Sequence, residues 1–140
     1  MSFSPPEGFS PHTRKSPLTD PWEPLYARVL EDRVLIGLEV RAPHANSRGM
    51  LHGGLIAGLV DNAMGLSCGQ VLAAQGIAAG GLVTVSLNVD YLGLAKPGQW
   101  LVFDTHFLKP GKTLCFAEAG VTADGAAIAR ARASFKVLPA

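Results

Sequence analysis

The feature that most constrains the fold of this chain is a long apolar stretch that contains a single full charge. Residues 55–74 lack proline, and their apolar side chains cover nearly every side of a helical wheel rather than one stripe. A helix of this kind is buried on most sides. Its only charged residue is Asp61, and burying an unpaired carboxylate is costly or shifts its pKa. The sequence therefore predicts a central helix over residues 52–74, with Asp61 as a candidate functional residue.

The residues His52, Gly53 and Gly54 stand where this helix would begin. The first turn of a helix has unpaired backbone N–H groups and a partial positive charge, and glycine lets a ligand come close to the backbone. A thioester or ester carbonyl placed against the Gly53 N–H would be polarised as in an oxyanion hole. The local pattern fits equally well a tight turn in which His52 caps the helix or packs against it.

The spacing of His52 and Asp61 bears on how both could act. They are nine positions apart, which on an ideal helix is roughly 13 Å along the axis and roughly 180° around it. A single chain would have difficulty bringing both to one substrate atom. We therefore expect them to act in different sites, or in one site that a second copy of the chain completes across a two-fold axis.

Composition limits the partners and the location. The 140 residues suffice for one domain with a core, and a net charge of +1 gives no basis for binding nucleic acid. Hydrophobic residues make up 48% of the chain, which favours burial of apolar surface between subunits. The apolar helix contains Asp61, Asn62, Ser67 and Gln70, so no membrane span is expected. The N-terminus lacks the pattern of a signal peptide, which indicates a cytoplasmic protein.

Two regions are distinguished along the chain. Residues 1–24 hold six of the ten prolines. This pattern predicts an arm without helix or paired strand, and it is equally compatible with disorder of the first dozen residues. Residues 25–140 predict an α+β domain, with a hairpin over 25–40, the helix, and strands over 83–91, 101–108, 114–122 and 127–136. An antiparallel sheet wrapped around one helix accounts for this order, although other α+β sandwiches fit the periodicity too. The alternating alanines from Ala127 to Ala133 leave room for the helix.

Strand 83–91 alternates between apolar and polar residues. One face would carry Val83, Val85, Leu87, Val89 and Tyr91, and the other would carry Thr84, Ser86, Asn88 and Asp90. On this pattern alone, Thr84 is an ordinary exposed threonine and Tyr91 belongs to the core.

Several chemistries lack their sequence signals. The four histidines show no zinc-type pairing, and Cys68 and Cys115 have no metal-ligand spacing, so we expect no metal, no cofactor and two buried reduced thiols. The Gly-x-Ser-x-Gly elbow of serine hydrolases and a phosphate-binding Gly-x-Gly-x-x-Gly turn are both missing from the sequence.

A wider set of motifs resembles a known family. The motifs are Asn46, the run from Gly49 to Gly54, the run from Leu59 to Asn62, the strand that begins at Thr84, and Gly111-Lys112-Thr113-Leu114. Together they resemble the motifs of the hotdog-fold acyl-CoA thioesterases. The likeness is to the phenylacetate-pathway and mammalian thioesterase-superfamily group, and it covers roughly residues 25–138. The spacing from Asn46 to Thr84 makes it specific, since His-Gly-Gly alone is weak evidence.

This resemblance implies a hotdog fold and hydrolysis of an acyl-CoA or aryl-acyl-CoA, with coenzyme A as part of the substrate. Asp61 would act as nucleophile or as general base, and the Gly53 N–H would contact the oxyanion. His52 begins the same motif and is expected to belong to the catalytic set, while Asn46 and Thr84 would position the reacting groups. The helix-start residues would come from one subunit and Asp61 and Thr84 from its mate. A homodimer at least is expected, and relatives of this kind favour a homotetramer.

The remaining assignments concern substrate binding and the competing functions. Gly54, Asn62, Lys109 and Lys112 are the expected substrate-binding residues, although solvated surface charge explains each lysine equally well. One alternative function is a non-catalytic acyl-CoA-binding or sensor protein on the same fold, and another is a purely structural oligomer. The complete motif set argues against the first alternative, and the second leaves Asp61 unexplained.

Overall fold

One long helix packs against a single antiparallel sheet in the computed structural model, which describes residues 3–140. The helix, α1, spans Gly53–Ala74. The seven strands are β1 (Ser10–Pro11), β2 (Tyr26–Val29), β3 (Val34–Glu39), β4 (Gly81–Tyr91), β5 (Trp100–Lys109), β6 (Leu114–Ala123) and β7 (Ala126–Leu138). Their order in the sheet is β1-β2-β3-β5-β6-β7-β4, and short 3-10 turns lie at Asp20–Trp22 and Ala42–His44. The predicted hotdog architecture, an antiparallel sheet around one central helix, is confirmed.

Small side chains let α1 lie close to the sheet. Alternate residues of β7 are buried against the helix, namely Ala129, Ala131, Ala133 and Phe135. Strand β6 contributes a second buried row, namely Cys115, Ala117, Ala119, Val121 and Ala123. The alanine row predicted in the last strand is confirmed from Ala129 onward, and the row on β6 is its counterpart across the ladder.

Polar residues inside α1 are tied to the β2–β3 hairpin. Ser67 Oγ accepts a 3.1 Å hydrogen bond from the Val34 N–H and donates a 3.2 Å hydrogen bond to the Val34 carbonyl. The Gln70 amide donates to the Leu30 carbonyl at 3.0 Å. By length and composition α1 would pass for a membrane span, with a mean hydropathy of 1.3 over its most apolar window, half of which is buried inside the fold. Its hydropathy is accounted for by its place in the core.

The helix begins one residue later than predicted, because His52 has an extended backbone and acts as the N-cap. It ends at Ala74 in a Schellman motif, in which the Ile77 N–H donates to the Leu72 carbonyl and the Gly76 N–H to the Ala73 carbonyl. Gly76 has φ +71°, which glycine adopts without steric cost.

The proline-rich arm is part of the packed structure, so the prediction that it contains no paired strand is wrong. Ser10 and Pro11 pair with β2 at the edge of the sheet, where a proline needs no ladder partner on its nitrogen. The His12 N–H donates to the Leu25 carbonyl, and the side chains of His12 and Thr19 are buried. Residues 1–2 lie outside the described residues, and the domain division at residue 24 stays a prediction.

Cys68 on α1 and Cys115 on β6 are buried free thiols, as predicted. No sequence pattern indicates that they would meet, since they come from elements far apart in the chain. The contact with Cys115, together with burial, raises the pKa of the Cys68 thiol well above its usual range.

Candidate functional site

The candidate site is built around Asp61, which lies half-buried on the side of α1 that faces β4. Thr84 Oγ1 donates a 2.7 Å hydrogen bond to Asp61 Oδ1. A hydrogen bond to one carboxylate oxygen fixes the orientation of the group and leaves the other oxygen available. The carboxylate that the sequence left without a partner therefore has one, and both residues border a groove between α1 and the sheet.

A β-bulge places Thr84 on the helix-facing side of β4. Thr84 pairs with Phe135 and Ser86 pairs with Ser134, so Val85 is an extra residue between the two pairs. Paired residues in an antiparallel ladder share a face, and an inserted residue reverses the alternation beyond it. The prediction that Thr84 shares a face with Ser86, Asn88 and Asp90 is therefore wrong. Beyond the bulge, the residues paired with the buried alanines of β7 are Leu87, Val89 and Tyr91.

The start of α1 is arranged by His52. Its Nδ1 accepts a 2.8 Å hydrogen bond from the Gly54 N–H, so the interpretation of His52 as a cap is confirmed. The first N–H of the helix belongs to Gly53, and within residues 3–140 it donates to no acceptor. That N–H points out of a positive helix end, which is the arrangement an oxyanion contact requires.

Tyr91 joins the end of β4 to the start of α1. Its hydroxyl donates a 2.6 Å hydrogen bond to the Gly53 carbonyl, and 52% of the residue is exposed. The prediction that Tyr91 belongs to the core is therefore wrong. A Cβ at position 53 would lie 3.3 Å from the Tyr91 ring, so this ring is one reason for glycine there. Nothing in the local sequence pattern indicates this contact.

The two ends of the site are separated within one chain. Gly53 and Asp61 are eight helical residues apart, which is roughly 12 Å along the axis. Strand β4 reaches both ends, since Thr84 contacts Asp61 and Tyr91 contacts Gly53. The structure therefore keeps the helix start and Asp61 apart, as predicted. The angle of roughly 180° predicted between His52 and Asp61 does not apply, because His52 precedes the helix. One carbonyl group cannot touch both the Gly53 N–H and the Asp61 carboxylate of the same chain.

Asn46 shapes the loop that leads to the helix. Its Oδ1 accepts hydrogen bonds from the Arg48 N–H at 2.9 Å and from the Met50 N–H at 3.1 Å. These contacts occupy the oxygen of the carboxamide and leave its NH₂ group available for another partner. The role of Asn46 in positioning the reacting groups stays a prediction.

A buried histidine that the sequence did not single out anchors the same loop. His44 Nδ1 accepts from the Arg41 N–H at 2.9 Å, and Nε2 lies 2.9 Å from the Trp22 carbonyl, to which it donates. The His44 carbonyl in turn accepts from the His52 N–H. Burial, with a smaller effect of the Arg41 charge, lowers the pKa of His44. The ring is therefore a neutral connector between the arm, the loop and the helix start.

The groove beside Asp61 has a volume of about 510 Å³. This lies within the range of roughly 300–1,000 Å³ for small-molecule sites. Asn62 lines it next to Asp61, so this predicted binding residue lies at the site. Arg14, from the arm, also lines it, and no sequence pattern indicates that contact.

Lys109 and Lys112 are not brought to Asp61 within one chain. Lys109 pairs with Phe116 on the side of the sheet that faces away from α1, and Lys112 is exposed in the turn between β5 and β6. Their contact with coenzyme A stays a prediction. A larger hollow of about 700 Å³ lies on the same outer side, where Arg130 pairs with Asp90 at 3.1 Å. Within residues 3–140, no three His, Cys, Asp or Glu side chains are grouped as metal ligands.

Known proteins resemble the chain in sequence and in fold. The family model of the thioesterase superfamily matches residues 48–129. Human acyl-coenzyme A thioesterase 13 is 40% identical over 102 residues, which are 71% of this chain and 69% of that protein. The crystal structure of mouse thioesterase superfamily member 2 is 32% identical, with 82% of each chain covered and a TM-score of 0.68. A mutant of the phenylacetic acid degradation protein PaaI from Thermus thermophilus has a TM-score of 0.74 at 19% identity, covering 89% of this chain and all of that one, a likeness of fold.

Proposed function

Because the chain belongs to the thioesterase superfamily of thioester hydrolases, we propose that it hydrolyses an acyl-coenzyme A thioester to the free acid and coenzyme A. The observation that carries this proposal is the Asp61–Thr84 pair at the wall of a groove that apolar side chains line in part. A fixed carboxylate beside space for an apolar group is what hydrolysis of an acyl thioester requires.

The proposed reaction uses few groups. Asp61 either attacks the thioester carbon or removes a proton from a water that attacks it. The Gly53 N–H of the partner subunit stabilises the charge that develops on the carbonyl oxygen. The C–S bond then breaks, and coenzyme A leaves as the thiolate and takes up a proton. When Asp61 has attacked directly, the acyl group is left on its carboxylate as an anhydride, and a water then hydrolyses this anhydride to the free acid and restores Asp61. Thr84 holds Asp61 through Oδ1, which leaves Oδ2 to act on the carbon or the water.

The free edge of β4 supports a site shared by two chains. β4 pairs only with β7 within residues 3–140, and its Val83, Val85, Leu87 and Tyr91 are exposed. A long apolar edge of this kind favours pairing with another strand. A second β4 pairing antiparallel about a two-fold axis near the strand middle would set the Thr84 end beside the Tyr91 end of its mate. Since Tyr91 holds Gly53, that arrangement carries the partner's helix start toward Asp61.

Two such dimers are proposed to associate through the outer side of the sheet. Phe107, Phe116 and Leu114 are 48%, 46% and 42% exposed there. Exposed aromatic side chains that lie together on a sheet favour an interface. Light scattering at micromolar concentration should give the mass of a tetramer, or of a dimer if only the β4 edge is used. A monomer with full activity would contradict the shared site.

The experiment that tests the function is the initial rate of free-thiol release from a panel of acyl and aryl-acyl coenzyme A esters. Turnover of at least one ester that depends on Asp61 supports the proposal. Tight binding of the esters without thiol release would identify the chain as an acyl-CoA-binding or sensor protein instead.

A further inference from the structure

The groove beside Asp61 runs along α1 rather than across it. Its helix-derived lining extends from Asp61 to Ala73, and twelve helical residues span roughly 18 Å. On a helical wheel, Gly65 and Gly69 lie near the middle of this lining. The groove is therefore elongated, with the candidate catalytic carboxylate at one end.

Apolar side chains form part of the walls along this length, beside the polar side chains of Arg14, Asn62 and Gln70. Leu66 comes from the helix, Ile77 from the connection after it, and Leu82 from β4, and each is partly buried against the core. Phe135 contributes from β7. Between Asp61 and Ala73 the helix presents no charged residue to the groove. An aliphatic group laid along the groove would bury surface against these apolar side chains.

Gly69 lines the groove at a position with free space above the helix. A Cβ built at Gly69 meets no atom within 4 Å, whereas a Cβ at Gly65 would lie 3.6 Å from the Phe135 ring. Gly69 is a regular helical residue, so its glycine is not required by a left-handed backbone. Glycine costs a helix about 1 kcal/mol relative to alanine, and neither a turn nor a close neighbour explains it here. Glycine at this position leaves the space above its Cα free.

We infer that Gly69 determines acyl-chain length, by leaving room for an extended aliphatic acyl group to lie along α1 beyond Asp61. This inference rests on the proposed function, because the thioester carbon must lie at Asp61 for the chain to point toward Gly69. The two residues are roughly 12 Å apart along the helix axis, so only a medium or longer chain reaches Gly69. A short acyl group, or a single aromatic ring, would end before it.

The test compares wild type with Gly69→Leu and with Ala74→Leu as the matched control. Ala74 is exposed on the same helix and does not line the groove. The kcat/KM is measured for butanoyl, octanoyl, dodecanoyl and phenylacetyl coenzyme A. For Gly69→Leu we expect kcat/KM for dodecanoyl coenzyme A to fall by about tenfold or more, because two or more methylene groups of the acyl chain would no longer be buried. The kcat/KM for butanoyl coenzyme A should stay within about twofold of wild type. Ala74→Leu should leave the length profile unchanged.

Binding of non-hydrolysable alkyl-thioether analogues of coenzyme A, followed by calorimetry, separates the two proposals. If wild type hydrolyses these esters but Gly69→Leu keeps the wild-type length profile, the inference about Gly69 is wrong and the function stands. If no ester is hydrolysed but Gly69→Leu selectively weakens the long-chain analogue, the function is wrong and the groove is still the chain site. If analogue affinity does not depend on chain length in any variant, the groove does not hold the chain.

Discussion

Thr84 and Asp61 meet across 23 residues of sequence because a bulge at Val85 turns Thr84 toward the helix. Bulges occur beside active sites, where they redirect a side chain that strict alternation would place elsewhere. Without the extra residue, strict alternation would place Thr84 and Leu87, which are three positions apart, on opposite faces of β4. The hydrogen bond from the Thr84 hydroxyl to the Asp61 carboxylate therefore depends on the strand register. Its role can be tested by substitution of either residue.

Asp61→Asn should lower kcat by at least about 10²-fold, because the amide can neither attack a carbonyl nor accept a proton from water. The amide can still accept the hydrogen bond from Thr84, so the unfolding free energy should change little. Steady-state kinetics on the best ester and urea unfolding measure the two effects. Near-normal turnover by this variant would make Asp61 a structural residue.

Thr84→Val should lower kcat by about tenfold or more, because it removes the hydroxyl that holds Asp61 and keeps the shape of the side chain. Thr84→Ser restores the hydroxyl and should recover most of the activity. The comparison distinguishes positioning from packing, since Ser loses the methyl group that Val retains. Equal loss in both variants would assign the effect to packing.

Gly53→Pro should lower kcat by about 10²-fold, because proline removes the N–H proposed for the oxyanion. Proline is well suited to the first helical position, and the extended backbone of His52 is the conformation favoured before proline. Gly53→Ala is the matched control, since it adds the same Cβ against Tyr91 and retains the N–H. If both variants lose activity equally, contact with Tyr91 and not the N–H explains the loss.

Mixed dimers of Asp61→Asn and Gly53→Pro should recover activity that neither variant has alone. In each hybrid, one site carries both changes and the other carries neither. Random pairing makes half of the dimers hybrid, so about a quarter of wild-type activity should return after co-expression or refolding. Subunit exchange is verified first with two differently tagged chains. Hybrids that are confirmed but inactive would mean that each chain builds its site alone.

The stability of the fold should decrease as the pH falls below about 6.5, the ordinary pKa of histidine. Burial lowers the pKa of His44 and also that of His12, so the unfolded chain binds protons that the folded chain does not. The contribution of these two histidines to stability is complete above their pKa in the unfolded chain. It is lost as the pH falls toward their lower pKa in the folded chain. Urea unfolding at about pH 7.5 and about pH 5.0 measures the decrease.

His44→Gln is the variant that tests this origin. Glutamine can accept from the Arg41 N–H and donate to the Trp22 carbonyl without titrating. We expect a smaller difference in unfolding free energy between the two pH values than in wild type, and a smaller one again when His12→Gln is added. An unchanged difference in the double variant would point to other titrating groups.

Much of the architecture could be predicted because it depends on local pattern. The central helix followed from apolar residues on all sides of the wheel, and the later strands followed from their alternation and spacing. Asp61 stood out because a lone charge in such a helix needs an explanation. These signals lie within a few residues of one another, so the sequence alone was sufficient.

The tertiary structure decided what depends on the register between distant segments. The bulge at Val85 reversed the faces of β4, and pairing with β2 drew Ser10 and Pro11 into the sheet. No local pattern records which strand residue lies opposite which, since alternation is the same in either register. The sequence by itself therefore determined which elements form and which carboxylate is exceptional. Only the packing of the sheet on the helix decided that Thr84 holds Asp61 and that Tyr91 holds Gly53.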